Sequence, residues 1–463
     1  MASLESGADG CARREPLMSW AVSLIVRWLY SMVMWLLQPL LRRKLLRRAR
    51  QEPLYGEHIE ERFGFYTPVH PAPKGASVAT PPCIWVHAVS LGETRAAAAL
   101  IQQLRVQIPG MRLLLTHGTA TGREQGQSLL QAGDVQVWQP WDTPGAVGRF
   151  LQYFQPRIGL LMETEVWPNW VAGCAAAGVP LCLVNARLSG KSLHAAQRMA
   201  WLARPAYRAL AGVWAQSEDD AARFRQLGAS VRGVMGNLKF DVVPDALQLL
   251  HGQTLRQAHS KPVIMLASSR EGEEQMLIEQ LALPAMQAAL SAVQWLIVPR
   301  HPQRFDEVAH LWRQAGYAVS RRSSWGEAGP QRDQHHPGQA PVTVWLGDSL
   351  GEMALYYGLA DVALLGGSFA PLGGQNLIEA AACACPVVAG PHTFNFAEAT
   401  QQAVQGGAAR QCPDLSSALQ SAYAWVQSPA ALQQARDAAL HWGQHHQGAA
   451  ERTAAAIRAL LGR

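Results

Sequence analysis

Short apolar runs alternate with helical, often alanine-rich stretches in two successive cycles, and this pattern limits the fold more than any other feature. The first cycle predicts strands at 83–87, 112–116, 135–138, 158–162, 180–184 and 212–215. The second cycle predicts strands at 262–269, 295–300, 342–347, 361–367 and 386–390. Apolar strands separated by helices indicate parallel sheets that are covered on both faces. We therefore predict two doubly wound α/β domains in tandem.

The domain limits follow from this repetition. We place an N-terminal apolar and basic segment at 1–50, the first domain at 51–245 and the second at 246–463. A linker is expected around 240–260 and a polar Pro/Gly-rich surface loop at 321–341. The last forty or so residues are predicted to form helices rich in Ala and Gln. A chain of 463 residues with 49% hydrophobic and 16% charged residues can build large cores, which excludes a disordered protein.

The apolar segment 17–41 could span a membrane or lie flat in its interface. Its length suits a bilayer span, but Arg27 lies at its centre, where a charge is unfavourable. On a helix, Ser23, Arg27, Ser31 and Gln38 fall on one narrow stripe, as in an interfacial helix. A buried helix of a soluble protein is a third possibility, which the flanking charges disfavour.

A basic segment, "RRKLLRRAR" at 42–50, follows directly and carries much of the net charge of +6. A basic block beside an apolar run favours an anionic membrane surface over nucleic acid, so no nucleic-acid partner is expected. The positive-inside rule then leaves the remaining chain in the cytoplasm. The seven cysteines show no C-x-x-C spacing, which is typical of reduced, buried thiols.

Polar turns follow the predicted strands, at the sheet edge where α/β proteins bind ligands. The first turn leads from "CIWVH" to Glu93 at the start of a helix, where Glu93 is either a helix-start residue or a base. The others are "METEVWPNW", "VNARLSGKS", "GNLKFD", "SSREGEE", "PRHPQRF", "GDSLGEM" and "GGSFAPLGGQNLIEAA". Each turn has a structural alternative, such as helix capping for Glu163-x-Glu165 or a surface ion pair for Arg300.

The second-domain turns suit a nucleotide sugar. The Gly-rich loop at 366–374 would let the backbone approach a ligand, and the helix beyond it would offer N–H groups to phosphate. Arg300 could bind phosphate, and Glu379 could accept both ribose hydroxyls. The chain has no P-loop and no G-x-G-x-x-G after its first strand, which disfavours NAD. Two carboxylates alone are a weak metal signal, so we expect no metal.

Taken together, these motifs resemble the 3-deoxy-D-manno-octulosonic acid (Kdo) transferases of Gram-negative bacteria. The motifs "HAVSLGE", "METEVWPN", "NARLSGKS", "GNLKFD", "PRHPQRF" and "GGSFAPLGGQNLIEAA…GPHTFNFAE" occur in the family's order from about residue 61 to 398. The resemblance implies a GT-B glycosyltransferase with two Rossmann-like domains, inverting and metal-independent. The donor would be CMP-Kdo and the acceptor a lipid A precursor, at the cytoplasmic face of the inner membrane. No cofactor would be needed, because CMP-Kdo is itself a substrate.

The resemblance also implies roles for individual residues. Glu93 would be the general base, and Glu163 and Lys239 would stabilise the transition state. CMP would be bound by three motifs, which contribute Pro299, Arg300, Gly351, Glu352, Met353, Asn376, Leu377, Ile378 and Glu379. The chain departs from the family at Gln375 and Arg270, where His is more usual. The resemblance places these departures at the rim of the site, so it leaves open the number of sugars added and the grip on the acceptor.

Two other functions fit the same pattern. Another GT-B nucleotide-sugar transferase or epimerase would release UDP instead of CMP. A non-catalytic, membrane-tethered sugar-nucleotide binder would bind CMP and form no product.

Overall fold

The computed structural model describes residues 17–67, 81–286, 292–326, 329–330 and 342–462, with side chains from residue 22 onward. The chain forms two compact units, Met1–Leu238 together with Gly448–Arg463, and Lys239–Gln447. The expected domains at 51–245 and 246–463 differ from these units in two ways. The first unit ends at Leu238 and not at residue 245, and it includes the last helix, which was expected in the second domain. Residues 327–328 and 331–341 of the expected surface loop lie outside the described residues.

The first unit is built on a seven-stranded parallel sheet with the order β3-β2-β1-β4-β5-β6-β7. Its strands are β1 Cys83–His87, β2 Arg112–His117, β3 Val135–Trp138, β4 Ile158–Met162, β5 Leu181–Ala186, β6 Gly212–Ala215 and β7 Val231–Val234. Every residue of β1, β4, β5 and β6 is buried, which explains their continuous apolar sequences. The strands predicted in this half are confirmed.

Helices cover both faces of this sheet. They are α1 Leu17–Arg48, α2 Leu91–Gln107, α3 Ala120–Gln127, α4 Pro144–Phe154, α5 Pro168–Ala176, α6 Gly190–Arg198, α7 Ala200–Arg208 and α8 Glu218–Gln226. Local sequence fixes several of their starts. Ser90, Thr119 and Thr143 accept hydrogen bonds at the N-caps of α2, α3 and α4.

The second unit repeats the architecture with the strand order β10-β11-β9-β8-β12-β13-β14, all parallel. Its strands are β8 Val263–Ser269, β9 Gln294–Pro299, β10 Ala318–Arg321, β11 Thr343–Leu346, β12 Val362–Leu365, β13 Val387–Ala389 and β14 Ala409–Gln411. The sequence pattern missed β10 and β14. Both are short edge strands, and the apolar run of β14 is a single alanine.

The described helices of the second unit are α9 Ala246–Gln257, α10 Glu273–Leu281, α11 Phe305–Gln314, α12 Met353–Leu359, α13 Ile378–Ala382, α14 Ala397–Gln405, α15 Leu415–Gln427 and α16 Pro429–His445. The prediction of a linker at 240–260 is wrong, because α9 occupies most of it. Asp245 accepts hydrogen bonds from Leu247 N–H and Gln248 N–H and caps this helix. The final helix, α17 Ala449–Leu461, returns to the first unit.

The polar stripe of α1 faces the first unit, and its apolar face points outward. Ser31 Oγ lies 3.0 Å from Asn169 Oδ1, and Gln38 Nε2 lies 3.5 Å from Thr143 Oγ1. On the opposite face, the side chains of Trp28 and Trp35 are 63% and 64% exposed. Within α1, the segment Val22–Arg48 is long and apolar enough to cross a membrane.

Candidate active site

The first unit has its topological switch point between β1 and β4, where the strand order reverses. Ligands of doubly wound sheets bind in the crevice outside the carboxyl ends of the strands at such a point. Glu93 follows β1 in the first turn of α2, and Glu163 directly follows β4. The fold therefore brings these two predicted site residues to the same place.

Glu93 takes part in a capping box at the start of α2. Ser90 Oγ accepts a hydrogen bond from Glu93 N–H at 3.3 Å and donates one to Glu93 Oε1 at 3.1 Å. Val89 N–H donates to Glu93 Oε2 at 2.9 Å. This is a variant of the Ser-x-x-Glu cap, in which the carboxylate accepts from the N–H of the residue before the N-cap, so Glu93 does have the helix-start role that the sequence left open.

The environment of Glu93 nevertheless differs from that of an ordinary cap. Burial raises the pKa of its carboxyl from 4.5 to about 7, opposed by the hydrogen bonds from Val89 and Ser90. The negative charges of Glu163 and Glu165 contribute to this rise in the same direction as burial. Desolvation thus makes Glu93 a stronger base than an exposed carboxylate.

The loop that carries Glu93 is held by its neighbours. Val89 O accepts hydrogen bonds from Gly118 N–H, Thr119 N–H and Thr119 Oγ1 at 2.9–3.1 Å. Below it, the buried His117 Nδ1 lies 2.9 Å from Ala88 O. Burial lowers the pKa of His117 to about 4, so its ring is neutral and donates this bond. His117 was not among the predicted site residues, because the sequence around a single histidine at a strand end does not show which group it contacts.

Two residues at the carboxyl edge of the first sheet have strained backbone angles. Glu163 has φ 55° and Asn185, at the end of β5, has φ 50°, which are left-handed values unusual for side-chain-bearing residues. Hydrogen bonds fix the turn: Glu163 N–H donates to Val184 O, and Arg187 N–H donates to Glu163 O. Strained residues that the surrounding structure holds in place often occur at active sites. This observation favours a functional role for Glu163.

Lys239 lies where the chain passes from the first unit to the second, in the short 3₁₀ helix Leu238–Asp241. Leu238 is buried in the core of the first unit, and its N–H donates to Asn185 Oδ1 at 3.0 Å. Phe240 is buried in the core of the second unit, where it contacts Trp442. Lys239 Nζ lies 5.8 Å from the centre of the Phe396 ring, at cation–π distance.

The switch point of the second unit lies between β8 and β12, and a buried carboxylate organises it. Glu273, at the start of α10, accepts hydrogen bonds from the N–H groups of Arg270, Gly367, Phe369 and Ala370 at 2.7–3.4 Å. Three of these donors belong to the Gly-rich loop, so Glu273 holds the shape of this part of the loop. The expected phosphate donors lie in the helix beyond the loop and stay a prediction.

The predicted CMP-binding residues follow strands β9, β11 and β12 of the same sheet. Pro299 ends β9, and Arg300 is half-buried with its N–H bonded to Ser269 O at 3.0 Å. Gly351 has φ 77°, which favours glycine, Glu352 is the N-cap residue of α12, and Met353 begins this helix. Glu352 is engaged by Arg322 at 2.8 Å and by Ser349 Oγ. Its carboxylate therefore holds the loop in place.

The last predicted motif divides into buried and accessible residues. Leu377 and Ile378 are each 1% exposed and belong to the hydrophobic core, so only their backbone could contact CMP. Asn376 Oδ1 accepts a hydrogen bond from Ile378 N–H at 3.1 Å. Glu379 is half-buried, and its charge raises the pKa of the Cys383 thiol beyond the effect of burial. The carboxylate of Glu379 thus lies near the Cys383 thiol.

Neither unit shows a metal site among its described residues. Within these ranges, no group of three or more His, Cys, Asp or Glu side chains has the geometry to hold an ion. Glu165, the second carboxylate of Glu163-x-Glu165, accepts a hydrogen bond from Trp167 Nε1 at 2.7 Å. The turn is therefore organised by protein donors.

Comparison with known proteins agrees with this arrangement. Residues 57–242 match the family model of 3-deoxy-D-manno-octulosonic-acid transferase (kdotransferase). A transferase of this name from Bordetella pertussis is 47% identical over 447 residues, covering 94% of this chain and 100% of that protein. Another from Haemophilus influenzae is 31% identical, covering 82% of this chain and 85% of its own length.

Among solved structures, a glycosyltransferase from Rickettsia africae has a TM-score of 0.50 at 12% identity, covering 83% of this chain and 99% of that chain. This likeness shows the fold alone, and it agrees with the GT-B class implied by the resemblance. The relatives in sequence show more than the fold, since the Bordetella pertussis protein is 47% identical over 94% of this chain. The chain belongs to the 3-deoxy-D-manno-octulosonic acid transferase family.

Proposed function

We propose that this chain transfers Kdo from CMP-Kdo to a sugar hydroxyl of a lipid A precursor, in the biosynthesis of lipopolysaccharide. The observation that carries the proposal is the position of Glu93. In a chain of this family, a half-buried carboxylate with a pKa of about 7 lies at the switch point of the first sheet. A base with such a pKa suits removal of a proton from an acceptor hydroxyl near neutral pH.

The proposed reaction assigns a task to each predicted residue. The acceptor oxygen attacks the anomeric carbon of Kdo as its bond to CMP breaks, with inversion, and Glu93 takes the hydroxyl proton. Lys239 and Glu163 stabilise the charges that develop during this exchange. Arg300 offers a forked cation to the phosphate of CMP, and Glu379 accepts hydrogen bonds from its ribose.

The proposal is tested by incubating the purified protein with CMP-Kdo and tetra-acylated lipid A precursor, followed by mass spectrometry of the lipid. We expect a product heavier by one or more Kdo units and stoichiometric release of CMP. Release of UDP from a UDP-sugar would instead identify another nucleotide-sugar enzyme. Binding of CMP without any product would identify a non-catalytic binder.

Donor binding gives a separate prediction. Arg300→Ala and Glu379→Ala should each weaken CMP binding by about ten- to a hundredfold, because a charge-assisted contact contributes about 1.5–3 kcal/mol. Titration calorimetry measures this change directly. Arg313→Ala, which removes an exposed arginine of α11, serves as the control and should leave the affinity unchanged. Normal affinity in both site variants would move the donor site elsewhere.

We propose that the reaction needs neither metal nor cofactor. Because protein cations are then the only groups that stabilise the leaving CMP, EDTA should leave the rate of Kdo transfer unchanged. Addition of Mg²⁺ or Mn²⁺ after EDTA is the control, and it should have no effect either. Activity that EDTA abolishes and either ion restores would contradict this assignment.

We further propose that α1 and the basic segment 42–50 attach the first unit to the cytoplasmic face of the inner membrane. Support comes from the outward apolar face of α1 and from the polar stripe that packs on the protein. Within a bilayer span this stripe would remain tied to Asn169 and Thr143 of the folded unit. The packing therefore favours a helix that lies in the interface over one that crosses it.

The outward face of α1 provides the test of this attachment. Trp28→Gln with Trp35→Gln should reduce binding to anionic vesicles by about tenfold or more, because each tryptophan buries a large apolar area. Flotation of vesicles with bound protein measures the effect. Val106→Gln removes an exposed apolar side chain from α2 and should change nothing. Unchanged flotation of the double variant would show that another surface does the anchoring.

A further inference from the structure

A large cavity lies at the amino-terminal edge of the first sheet, on the side opposite Glu93. It is bounded by α1, α4, α5 and the end of α17, and by the residues that begin β1, β2, β4 and β5. Its volume is about 1580 Å³. Pockets for small molecules usually measure roughly 300–1,000 Å³, so this one suits a longer ligand.

The charged residues of the cavity all have the same sign. Arg27 of α1, Arg112 at the start of β2 and Arg157 before β4 line it, and its described lining contains no Asp or Glu. None of the three forms an ion pair with a described carboxylate. Arg112 does contact the Cys83 thiol, whose pKa burial raises. Three arginines around one space indicate an anionic ligand.

The remaining wall is apolar and continues onto the membrane-facing side of α1. Leu24, Ile25 and Trp28 line the cavity and are also among the exposed apolar residues of α1. Leu151 and Leu461 line it from the folded unit. A ligand could therefore place its anionic group among the arginines and extend an apolar chain toward the bilayer.

We propose that this cavity binds an anionic phospholipid of the membrane, with its phosphate among Arg27, Arg112 and Arg157 and an acyl chain against α1. The site also explains why α1 carries an arginine at its centre, where a spanning helix would be penalised. The inference rests on the proposed membrane attachment. It does not concern the acceptor, whose reacting hydroxyl must reach Glu93 beyond the other edge of the same sheet.

The test uses the full-length protein in nanodiscs that contain photoactivatable phosphatidylglycerol, or phosphatidylcholine with the same acyl chains. After irradiation, peptides are mapped by mass spectrometry. We expect phosphatidylglycerol to label peptides containing Leu151 and Leu461 at least about tenfold more than phosphatidylcholine does. This ratio corresponds to a difference of ~1.4 kcal/mol in binding free energy. Equal labelling by the two lipids, or labelling confined to the outward face of α1, would refute the site.

Variants with matched charge make the test specific. Arg27→Gln, Arg112→Gln and Arg157→Gln together should reduce the labelling of these peptides about tenfold. Arg157→Gln alone, at an exposed position, keeps the test valid if the triple variant misfolds, and should reduce labelling severalfold. Arg198→Gln, Arg225→Gln and Arg313→Gln together remove the same charge from exposed positions outside both the cavity and the basic segment, and they should spare labelling of the cavity. Equal losses in the two triple variants would indicate only a general surface charge effect.

Two further outcomes separate this proposal from those above. Protein that no longer remains with the nanodiscs would refute membrane attachment itself, whereas retained protein without labelled cavity peptides would refute only the lipid site. Competition by unlabelled tetra-acylated lipid A precursor is the last arm. Complete loss of phosphatidylglycerol labelling at equimolar precursor would assign the cavity to the acceptor and overturn the proposal.

Discussion

Glu93→Gln is expected to reduce kcat by about 10²–10⁴, the usual contribution of general-base catalysis, while CMP affinity stays unchanged. The substitution keeps the size of the side chain and one hydrogen-bond acceptor for the capping box. In the unmodified enzyme, kcat/KM should rise with pH through an inflection near 7, as the carboxyl with a pKa of about 7 loses its proton. The inflection should be absent from the residual activity of the variant.

Although it lowers kcat, the same substitution should remove a loss of folding stability that occurs as the pH rises. The folded-state pKa of about 7 lies above the ordinary value of 4.5, so the folded protein holds this proton more tightly than the unfolded chain does. The free energy of unfolding therefore falls as the pH rises from about 4.5 to about 7, and Gln is free of this loss. Between about pH 4 and about pH 8, the stability of Glu93→Gln relative to the unmodified protein should rise by about 1–3 kcal/mol.

Urea denaturation at the two pH values measures this difference. Glu124→Gln, which changes an exposed glutamate of α3, is the control and should show no such shift. If Glu93 were only a capping residue, the variant would lose about 0.5–2 kcal/mol of stability and keep near-normal turnover. A folded Glu93→Gln protein with more than about a third of the normal kcat would refute the catalytic assignment.

Glu273→Ala is expected to destabilise the second unit by about 3–5 kcal/mol. The change leaves four backbone N–H groups without their acceptor, and three of them are in the loop at the switch point. Each unsatisfied buried donor is unfavourable by about 1–3 kcal/mol, although relaxation of the loop and entry of water recover part of the sum. CMP affinity should fall as well, because the loop loses the group that fixes its shape.

Chemical denaturation followed by tryptophan fluorescence, together with calorimetry for CMP, checks both effects. Glu273→Gln keeps one acceptor oxygen and should lose about half as much stability. Glu279→Ala, on the exposed side of the same helix, should stay within about 0.5 kcal/mol of the unmodified protein. A Glu273→Ala protein of normal stability and CMP affinity would show that the loop keeps its shape without this carboxylate.

Much of the fold was predictable because parallel strands buried on both faces require continuous apolar runs. β1 and β4 are fully buried, and their limits were predicted at 83–87 and 158–162. Strand β14 was not predicted, because an edge strand of three residues needs no continuous apolar run. The helix at Ala246–Gln257 was mistaken for a linker because its sequence is more polar than its packing against α12 suggests.

The site was only partly predictable, for a different reason. Motifs placed Glu93 and Glu163 after their strands, and the strand order then brought them together. The pKa of Glu93 could not be foreseen, because the helix N-terminus is visible in the sequence and burial is not. Glu273 was noticed only as one of several charges in "SSREGEE", since its four backbone partners include residues nearly a hundred positions away.

The return of α17 to the first unit affects how the protein is made on the ribosome. Ala450, Ala454 and Ile457 are buried in the same core as Leu100 and Leu104 of α2. Between Leu238 and Gly448 the ribosome must add the 209 residues of the second unit, from 239 to 447. At the usual rate of synthesis this takes about 10–40 s. During that interval the apolar residues of α2 that α17 will later cover remain exposed to solvent. The first half of the chain is therefore the part that chaperones bind and that can aggregate.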